Sequence, residues 1–303
     1  MRLYYCEMPD GNIGDDLNEY IWPHYLPAPK KDSSHVVIGI GSLLNVNIPP
    51  AESYTVISAG VGYGDLPQID NNWTFLAVRG EYSKSSLKLN KDVVLLDGAY
   101  LLKDCYEIPK VKEKKGIGYI PHVESLDYGD WERVCNLAGL VFIDPRLELN
   151  KFLPLLCSCE KVITEAMHGA IIADCYQIPW KPVKAYHHIN TVKWDDWLSA
   201  FGETAHFESI KGVWGDIKVR KGQKLKNYVK RMIFCFYSGF NLTPPIYPKS
   251  SDSDYEMCAN QLMKLAKANF YLNDEQTIIQ KVEQLKSKIS EHFFHTNKTS
   301  QKL

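Results

Sequence analysis

A short buried strand, a tight turn and a short helix are predicted within the stretch Lys161-Val-Ile-Thr-Glu-Ala-Met-His168-Gly169-Ala-Ile-Ile-Ala-Asp174-Cys-Tyr-Gln-Ile-Pro179-Trp180. The strand covers residues 161–164, and the turn covers residues 165–169, where Gly169 can take backbone angles that other residues resist. The helix covers residues 170–177, and Pro179 prevents its continuation. A strand that runs directly into a helix is the unit from which parallel α/β sheets are built.

His168 stands in this turn, beside the start of the helix. A helix N-terminus directly after a strand presents free N–H groups and the positive end of the helix dipole, which suits an anion. Histidine can donate a hydrogen bond or carry a proton near neutral pH. Two interpretations are open: His168 serves an anion site, or it is a buried histidine that caps the helix.

Short apolar runs predict a strand series on each side of residue 110, and most of the runs in the first series end in glycines or charged residues. Such runs, spaced by short helices, indicate a parallel sheet with helices on both faces. The first series lies at residues 3–6, 35–40, 54–58, 75–78 and 93–96, and the second at 116–120, 140–143, 161–164 and 183–186.

A change of composition near residues 108–115, with Pro109 and several lysines, predicts a linker between the two series. With 303 residues, the chain is long enough for two domains. The predicted fold is α/β, with two Rossmann-like βαβ domains that face a cleft and a helical C-terminal extension. The predicted bounds are 1–110, 111–202 and 203–303; helix is expected over 254–289 apart from a break near Asn273, and residues 296–303 are expected to fray.

The composition limits the class of protein. The net charge of −1 gives no electrostatic case for nucleic-acid binding. The eight cysteines show no C-x-x-C pair and no zinc-site spacing, so we expect reduced, mostly buried thiols in a cytoplasmic protein and no metal. The N-terminus runs straight into a strand, which predicts no signal peptide, and no apolar stretch is long enough to span a membrane.

Residues 218–237 mix basic residues with an apolar run. This pattern suits a helix that lies on the anionic cytoplasmic face of the inner membrane. It equally suits a solvated basic face over a buried apolar face.

Polar residues and glycines follow the strands of the first series. Asp15 and Asp16 come after the first strand, at the sheet edge where open α/β folds keep their sites, although acidic residues also stabilise a helix N-terminus. Two G-x-G turns end at Gly41 and Gly62, and they indicate either backbone close to a ligand or tight packing.

The order of these turns resembles that of the polysaccharide pyruvyl transferase family, in the branch that adds pyruvate ketals to bacterial exopolysaccharides. Gly80 stands where the family usually has aspartate, and Ala166 where it has an arginine that would help hold a phosphate or carboxylate. The resemblance covers about residues 1–200, and its segments are Asn12-Ile-Gly-Asp15-Asp16, Gly39-Ile-Gly41-Ser42-Leu-Leu, Ala59-Gly-Val-Gly62, Val78-Arg79-Gly80-Glu81-Tyr-Ser83, Glu165-Ala166-Met167-His168-Gly169 and the pair Tyr186 and Lys193.

The resemblance implies a reaction in which phosphoenolpyruvate gives its enolpyruvyl group to a sugar diol of a surface polysaccharide or its lipid-linked precursor. A pyruvate ketal and phosphate are the products, phosphoenolpyruvate is a co-substrate, and no cofactor is expected. The chemistry needs cations for the donor, an acid for the alkene carbon, and a carboxylate that faces the acceptor.

The resemblance also implies site residues. His168 is the candidate acid, and Asp15 or Asp16 is the candidate base. The expected donor-binding residues are Arg79, Arg146, His168, Gly169 and His122, and the expected acceptor-binding residues are Asn12, Gly41, Ser42 and Gly62. Surface salt bridges are the alternative for both arginines. A packing or capping role is the alternative for His122, while His187 and His188 stay undecided.

Two other functions stay open. The predicted two-domain arrangement is GT-B-like, so a sugar-nucleotide glycosyltransferase is one alternative, with Asp174 and Lys181 available for a ribose and a diphosphate. The other alternative is a non-catalytic glycan- or lipid-binding subunit of a polymer assembly complex, for which the loss of arginine at Ala166 is an expected change.

Overall fold

The first of two parallel sheets is built from strands that are neighbours in the sequence. A computed structural model describes residues 1–30, 33–90, 92–107, 111, 114, 116–215 and 249–295 of the chain. Its first sheet has the order β1-β2-β3-β4-β5. The strands are β1 (Arg2–Tyr4), β2 (His35–Ile38), β3 (Ser53–Ile57), β4 (Trp73–Val78) and β5 (Val94–Leu95). This consecutive order differs from the Rossmann order, which reverses direction within the sheet, so the Rossmann-like prediction is wrong for the first half.

The second sheet has the order β10-β9-β8-β6-β7, and its described strand pairs are also parallel. Its strands are β6 (Ile117–Ile120), β7 (Val141–Phe142), β8 (Lys161–Thr164), β9 (Trp180–Lys184) and β10 (Glu208–Ser209). Here the order reverses between β6 and β8, as in a doubly wound fold. Such reversals open a crevice at the carboxyl ends of the two strands, which places the residues after Ile120 and Thr164 at the natural position for a site.

Helices cover both sheets. The α-helices are α1 (Ile13–Tyr25), α2 (Glu81–Ser86), α3 (Leu102–Cys105), α4 (Trp131–Ala138), α5 (Leu149–Cys157), α6 (Met167–Cys175), α7 (Val192–Ser199), α8 (Asp252–Leu265) and α9 (Glu275–Ser290). Single 3-10 turns cover Gly98–Leu101 and Ser125–Asp127, and a π-helical turn, Glu291–His295, follows α9. Together the sheets and helices confirm the α/β class.

Helix α6 begins at Met167, three residues before the predicted start. His168 therefore lies in the first helical turn. Gly169 has no left-handed backbone angle, so the prediction of unusual backbone angles at this glycine is wrong. A Cβ at Gly169 would lie only 3.0 Å from Ile120 Cδ1 and from Thr164 Oγ1, so the glycine instead allows α6 to pack closely on β6 and β8.

One hydrophobic cluster spans both sheets. Apolar residues of α1 and α6 belong to the same cluster as β2 of the first sheet and β8 of the second, and α1 packs against α6. The buried face of α9, which includes Ile278 and Leu285, joins this cluster, whereas α8 packs on α4 beside the second sheet. The predicted separation into two domains that face a GT-B-like cleft is therefore not confirmed.

Several sequence predictions can be compared with the described residues. The helical break near Asn273 is confirmed, because α8 ends at Leu265 and α9 begins at Glu275. The seven described cysteines form no disulfide with one another and most are buried, as predicted. In the part of the chain that the structure describes, no helix is long and apolar enough to cross a membrane. The basic segment 218–237, the terminal residues 296–303 and most of the predicted linker at 108–115 lie outside the described residues.

Asp174 is fully buried where the two halves of the chain and its C-terminal helices meet. Its carboxylate accepts hydrogen bonds from Tyr100 Oη (2.6 Å), Trp180 Nε1 (3.0 Å), and both the backbone N and Nδ2 of Asn273 (2.9 and 2.8 Å). Lys181 is buried too, and its Nζ donates to the Asn269 carbonyl (3.2 Å). Neither residue is available to a nucleotide, which contradicts the role that the glycosyltransferase alternative gave them.

Replacing Asp174 with Ala should destabilise the protein strongly, because several buried donors would lose their acceptor. We expect the free energy of unfolding, measured in urea, to fall by about 3 kcal/mol or more. The exposed Asp252, which pairs with Arg133 at the surface, provides the control: D252A should cost about 1 kcal/mol or less. Similar losses in both variants would contradict a structural role for Asp174.

Candidate functional site

The carboxyl ends of the two sheets meet at His168. The imidazole Nε2 lies 3.6 Å from Oδ2 of Asp97, the residue that caps the 3-10 turn after β5. The other side of the ring contacts α1: a Cβ at Gly14 would lie 2.0 Å from His168 Nδ1. The second sheet thus brings its histidine against the first sheet, next to residues 12–16, as expected if His168 and Asp15 or Asp16 belong to one site.

The turn that opens α1 distinguishes the two candidate bases. Asn12 caps the helix through its side chain, and Asp16 Oδ2 accepts the backbone N–H of Asn12 (3.1 Å), so Asp16 contributes to the cap. Asp15 instead accepts from Asn12 Nδ2 (2.6 Å) and lies close to Gly41. Burial raises the pKa of the Asp15 carboxyl, while the charges of His168 and Lys193 oppose that increase. The geometry favours Asp15 as the base.

Lys193, on the first turn of α7, brings a cation to the same place. Its Nζ donates to Tyr63 Oη (2.8 Å) and lies 4.6 Å from the centre of the Tyr63 ring. Burial, and secondarily the charge of Arg79, lower the pKa of Lys193 to about 8, while Asp15 and Glu124 oppose this decrease. From the sequence, Lys193 is known only as half of the pair with Tyr186. The packing of α7 is what brings this cation beside Asp15.

Arg79 is completely buried. Its Nε donates to Asp196 Oδ2 (3.0 Å), its Nη1 to Ser42 Oγ (2.9 Å) and its Nη2 to the Val61 carbonyl (2.5 Å). The alternative of a surface salt bridge is therefore wrong. Direct contact between Arg79 and a donor stays a prediction, and the geometry gives the guanidinium a positioning role: it holds Ser42 and the turn after β3.

The glycine at position 80 is explained by α7. A Cβ there would lie 1.5 Å from the backbone oxygen of Asp196, so no side chain fits. The Asp196 carboxylate accepts from both the backbone N (2.9 Å) and Oγ (2.5 Å) of Ser83 as well as from Arg79. Asp196 thus supplies a carboxylate to the turn in which the family usually carries its own aspartate.

The residues predicted to bind the acceptor lie along one edge of the first sheet. Ser42 packs against Gly62, where a Cβ would lie 2.7 Å from Ser42 Oγ. Asn190, just before α7, donates through Nδ2 to the Gly62 carbonyl (2.9 Å). Together with Gly41 beside Asp15, these residues form a continuous rim, although no contact with an acceptor follows from the geometry alone.

Arg146 lies where the two sheets meet, but its side chain bonds to residues of its own half of the chain. Its Nη2 donates to the Val123 carbonyl (2.6 Å) and to Asp127 Oδ1 (2.7 Å). Its backbone oxygen lies 2.7 Å from the position that a Cβ would take at Gly11, whose left-handed φ of +79° also favours glycine. A role in donor binding would require Arg146 to exchange Asp127 for the donor, and it stays a prediction.

Two histidines at the edge of the second sheet are neutral at pH 7. The rings of His122 and His188 lie 4.9 Å apart. Burial, then the neighbouring charges of His188 and Lys193, lower the pKa of His122 to about 3, and burial lowers that of His188 to about 4. His122 Nδ1 accepts the backbone N–H of Glu124 (3.2 Å), which leaves Nε2–H as a neutral donor. His122 can thus hydrogen-bond an anion but supplies no charge. His187 is exposed.

Glu165 connects the strand ends at this edge through hydrogen bonds. It is fully buried, and burial raises the pKa of its carboxyl. It accepts the backbone N–H groups of Ala185 (2.7 Å) and His122 (3.3 Å), so it joins the ends of β6, β8 and β9. Among the described residues, no three His, Cys, Asp or Glu side chains are grouped closely enough to hold a metal ion.

The lowered pKa values predict that His122 and His188 stay neutral well below the normal histidine range. With ¹³C-labelled histidine, we expect the ring NMR signals of His122 and His188 to titrate below about pH 5. Variants H122Q, H188Q and H187Q would assign the signals. Titration of either His122 or His188 near 6.5 would show that this ring is not buried as described.

Known proteins resemble this chain in sequence. The chain is 34% identical over 208 residues to the succinoglycan biosynthesis protein ExoV of Rhizobium meliloti (strain 1021), an alignment that covers 67% of this chain and 66% of that protein, slightly less than two thirds of its length. A solved structure of an uncharacterized protein from Klebsiella pneumoniae aligns with a TM-score of 0.42 and 17% identity over 68% of this chain and 92% of that chain, and nothing about function follows from it. The model of the polysaccharide pyruvyl transferase family matches residues 19–187, more than half of the chain, and the chain therefore belongs to that family.

Proposed function

We propose that this protein transfers the pyruvyl group of phosphoenolpyruvate to a sugar diol of a bacterial exopolysaccharide or of its lipid-linked precursor, forming a pyruvate ketal and inorganic phosphate without a cofactor. The observation that carries the proposal is the convergence of an acid, a base and a cation, His168, Asp15 and Lys193, where the two sheets meet. Membership of the family and the relative named for succinoglycan biosynthesis support a pyruvyl transfer to an exopolysaccharide.

The three residues match the steps of the reaction. His168 donates its proton to C3 of phosphoenolpyruvate, and C2 becomes an oxocarbenium-like centre. A sugar hydroxyl adds to C2 while Asp15 takes its proton. The C2–O bond to phosphate then breaks, phosphate leaves with the electron pair, and the second hydroxyl closes the ketal and gives its proton to His168, which restores the acid. The raised pKa of Asp15 suits a base that must take a proton near neutral pH.

Lys193 supplies the positive charge that the family's usual arginine, replaced here by Ala166, would provide. The donor is a multiply charged anion and needs a cation, and Arg79 and Arg146 are both held by protein carboxylates. Lys193 pairs with the donor phosphate or carboxylate, and the neutral Nε2–H of His122 and the N-terminus of α6 add hydrogen bonds. The donor and the acceptor would enter between the carboxyl edges of the two sheets, in a GT-B-like manner, at the cytoplasmic face of the inner membrane where lipid-linked acceptors reside.

One mixing experiment distinguishes this function from its two alternatives. The protein is incubated with phosphoenolpyruvate and lipid-linked glycans, and separately with sugar nucleotides and the same glycans. A pyruvyl transferase releases phosphate only in the first mixture, and a glycosyltransferase releases nucleotide only in the second. A glycan-binding subunit releases neither, and that result would overturn the proposal.

Replacing His168 should abolish the proton transfer but preserve the fold. We expect H168A to reduce kcat by about 10²- to 10⁴-fold. H168Q should be nearly as poor, because an amide can hydrogen-bond a phosphate but cannot protonate carbon. The exposed His187 gives the matched control, and H187A should keep normal activity. Substantial activity in H168Q, with the defect confined to KM, would reduce His168 to a binding residue.

The pH dependence should report Lys193. Since its pKa is about 8, the lysine is charged below that pH and neutral above it, so kcat/KM for phosphoenolpyruvate should fall as the pH rises past about 8. K193R should remove this decline, because arginine stays charged. K193M should lower kcat/KM by roughly 10- to 100-fold at pH 7, the cost of one charged hydrogen bond.

The surface lysine Lys103, paired with Glu275, provides the control. K103M should retain both the rate and the pH profile of the unmodified protein. An unchanged profile in K193R, or an unchanged kcat/KM in K193M, would show that the cation for the donor lies elsewhere.

A further inference from the structure

Two buried polar atoms without a hydrogen-bond partner in the described part of the chain face each other across the junction of the sheets. They are Oδ2 of Asp97 and Nε2 of His168, 3.6 Å apart. Asp97 is fully buried. Because buried polar atoms are nearly always paired, two that face each other without a hydrogen bond require a functional explanation.

Each member of this pair is held from its other side. Asp97 Oδ1 accepts the backbone N–H of Ala99 (3.0 Å), and this bond directs Oδ2 towards the histidine. The Nδ1 side of the His168 ring rests against Gly14, so the ring cannot move towards α1. The 3-10 turn after β5 thus fixes the carboxylate, and the first turn of α1 fixes the imidazole.

We propose that Asp97 is the positioning residue of His168. The carboxylate fixes the proton on Nε2, holds the ring in one orientation against Gly14 and stabilises the charged imidazolium. A buried aspartate that orients a catalytic histidine does this without becoming protonated itself. Such contacts are often long in a site without substrate and shorten when substrate binds. The inference rests on the proposed function, in which His168 is the acid.

The pairing also explains why the two sheets have to meet. Asp97 follows the last strand of the first sheet, and His168 follows the central strand of the second. The charged groups that face the imidazole are Asp97 on one side and Asp15 of α1 on the other. Both carboxylates come from the first half of the chain. The second half therefore carries the proposed acid, and the first half carries the groups that orient it.

The test replaces the Asp97 carboxylate without removing its cap. In D97N, Oδ1 can still accept the Ala99 N–H, but the amide now donates to His168 Nε2 and shifts the ring proton to Nδ1. We expect kcat to fall by about 10²- to 10⁴-fold with KM nearly unchanged. D97S also keeps a capping oxygen and should behave similarly. The control D104N changes a surface carboxylate that pairs with Lys286 and should be normal.

A second readout does not depend on activity. With ¹⁵N-labelled histidine, the His168 ring signals, assigned with H168Q, should show the proton of the neutral ring on Nε2 in the unmodified protein and on Nδ1 in D97N. An unchanged tautomer together with an unchanged kcat would overturn the pairing. If the unmodified protein transfers no pyruvyl group, the proposed function fails, whereas the tautomer of His168 still decides whether Asp97 controls it.

Discussion

The arrangement of the site depends on one buried ion pair, Arg79 with Asp196. Neither side chain has any exposed surface. An isolated buried pair gains little, because both charges lose their hydration. Here the carboxylate also receives two hydrogen bonds from Ser83, and the guanidinium also donates to Ser42 and to Val61, so the polar groups are satisfied together. The network fixes α7, which belongs to the second half of the chain, to the edge of the first sheet.

The position of α7 then determines where the cation lies. Lys193 precedes Asp196 by three residues, so the two side chains project from neighbouring positions on one face of the helix. Asp196 pairs with Arg79 of the first half of the chain. Lys193 contacts Tyr63 and lies near Asp15. Both residues, like the turn at Asn12, lie outside the matched family segment 19–187. The matched segment thus contains His168, while the proposed base and cation lie in flanking parts of the chain.

The strands and the proximity of His168 to residues 12–16 could be predicted from the sequence, because buried apolar runs and strand-end turns are local signals. The order of the first sheet could not, since local patterns do not state which strands pair. Arg79 was expected to bind the donor. Its partner, Asp196, is 117 residues away in the sequence, so local patterns do not reveal that the arginine is buried in an ion pair. Asp97 was overlooked because a single acid after a short strand resembles an ordinary cap, which it also is.

Gly80 and Asp196 carry a consequence for how such a chain can diverge. An aspartate restored at position 80 would collide with the backbone of α7, because even a Cβ does not fit there. Loss of Asp196 first would leave the Arg79 guanidinium buried and unpaired, at a cost of about 3–5 kcal/mol. The collision at position 80 is with the main chain of residue 196, so it persists whatever side chain stands there. An aspartate can return to position 80 only if α7 moves away from the first sheet, and descendants of this sequence should therefore keep Gly80 and Asp196 together.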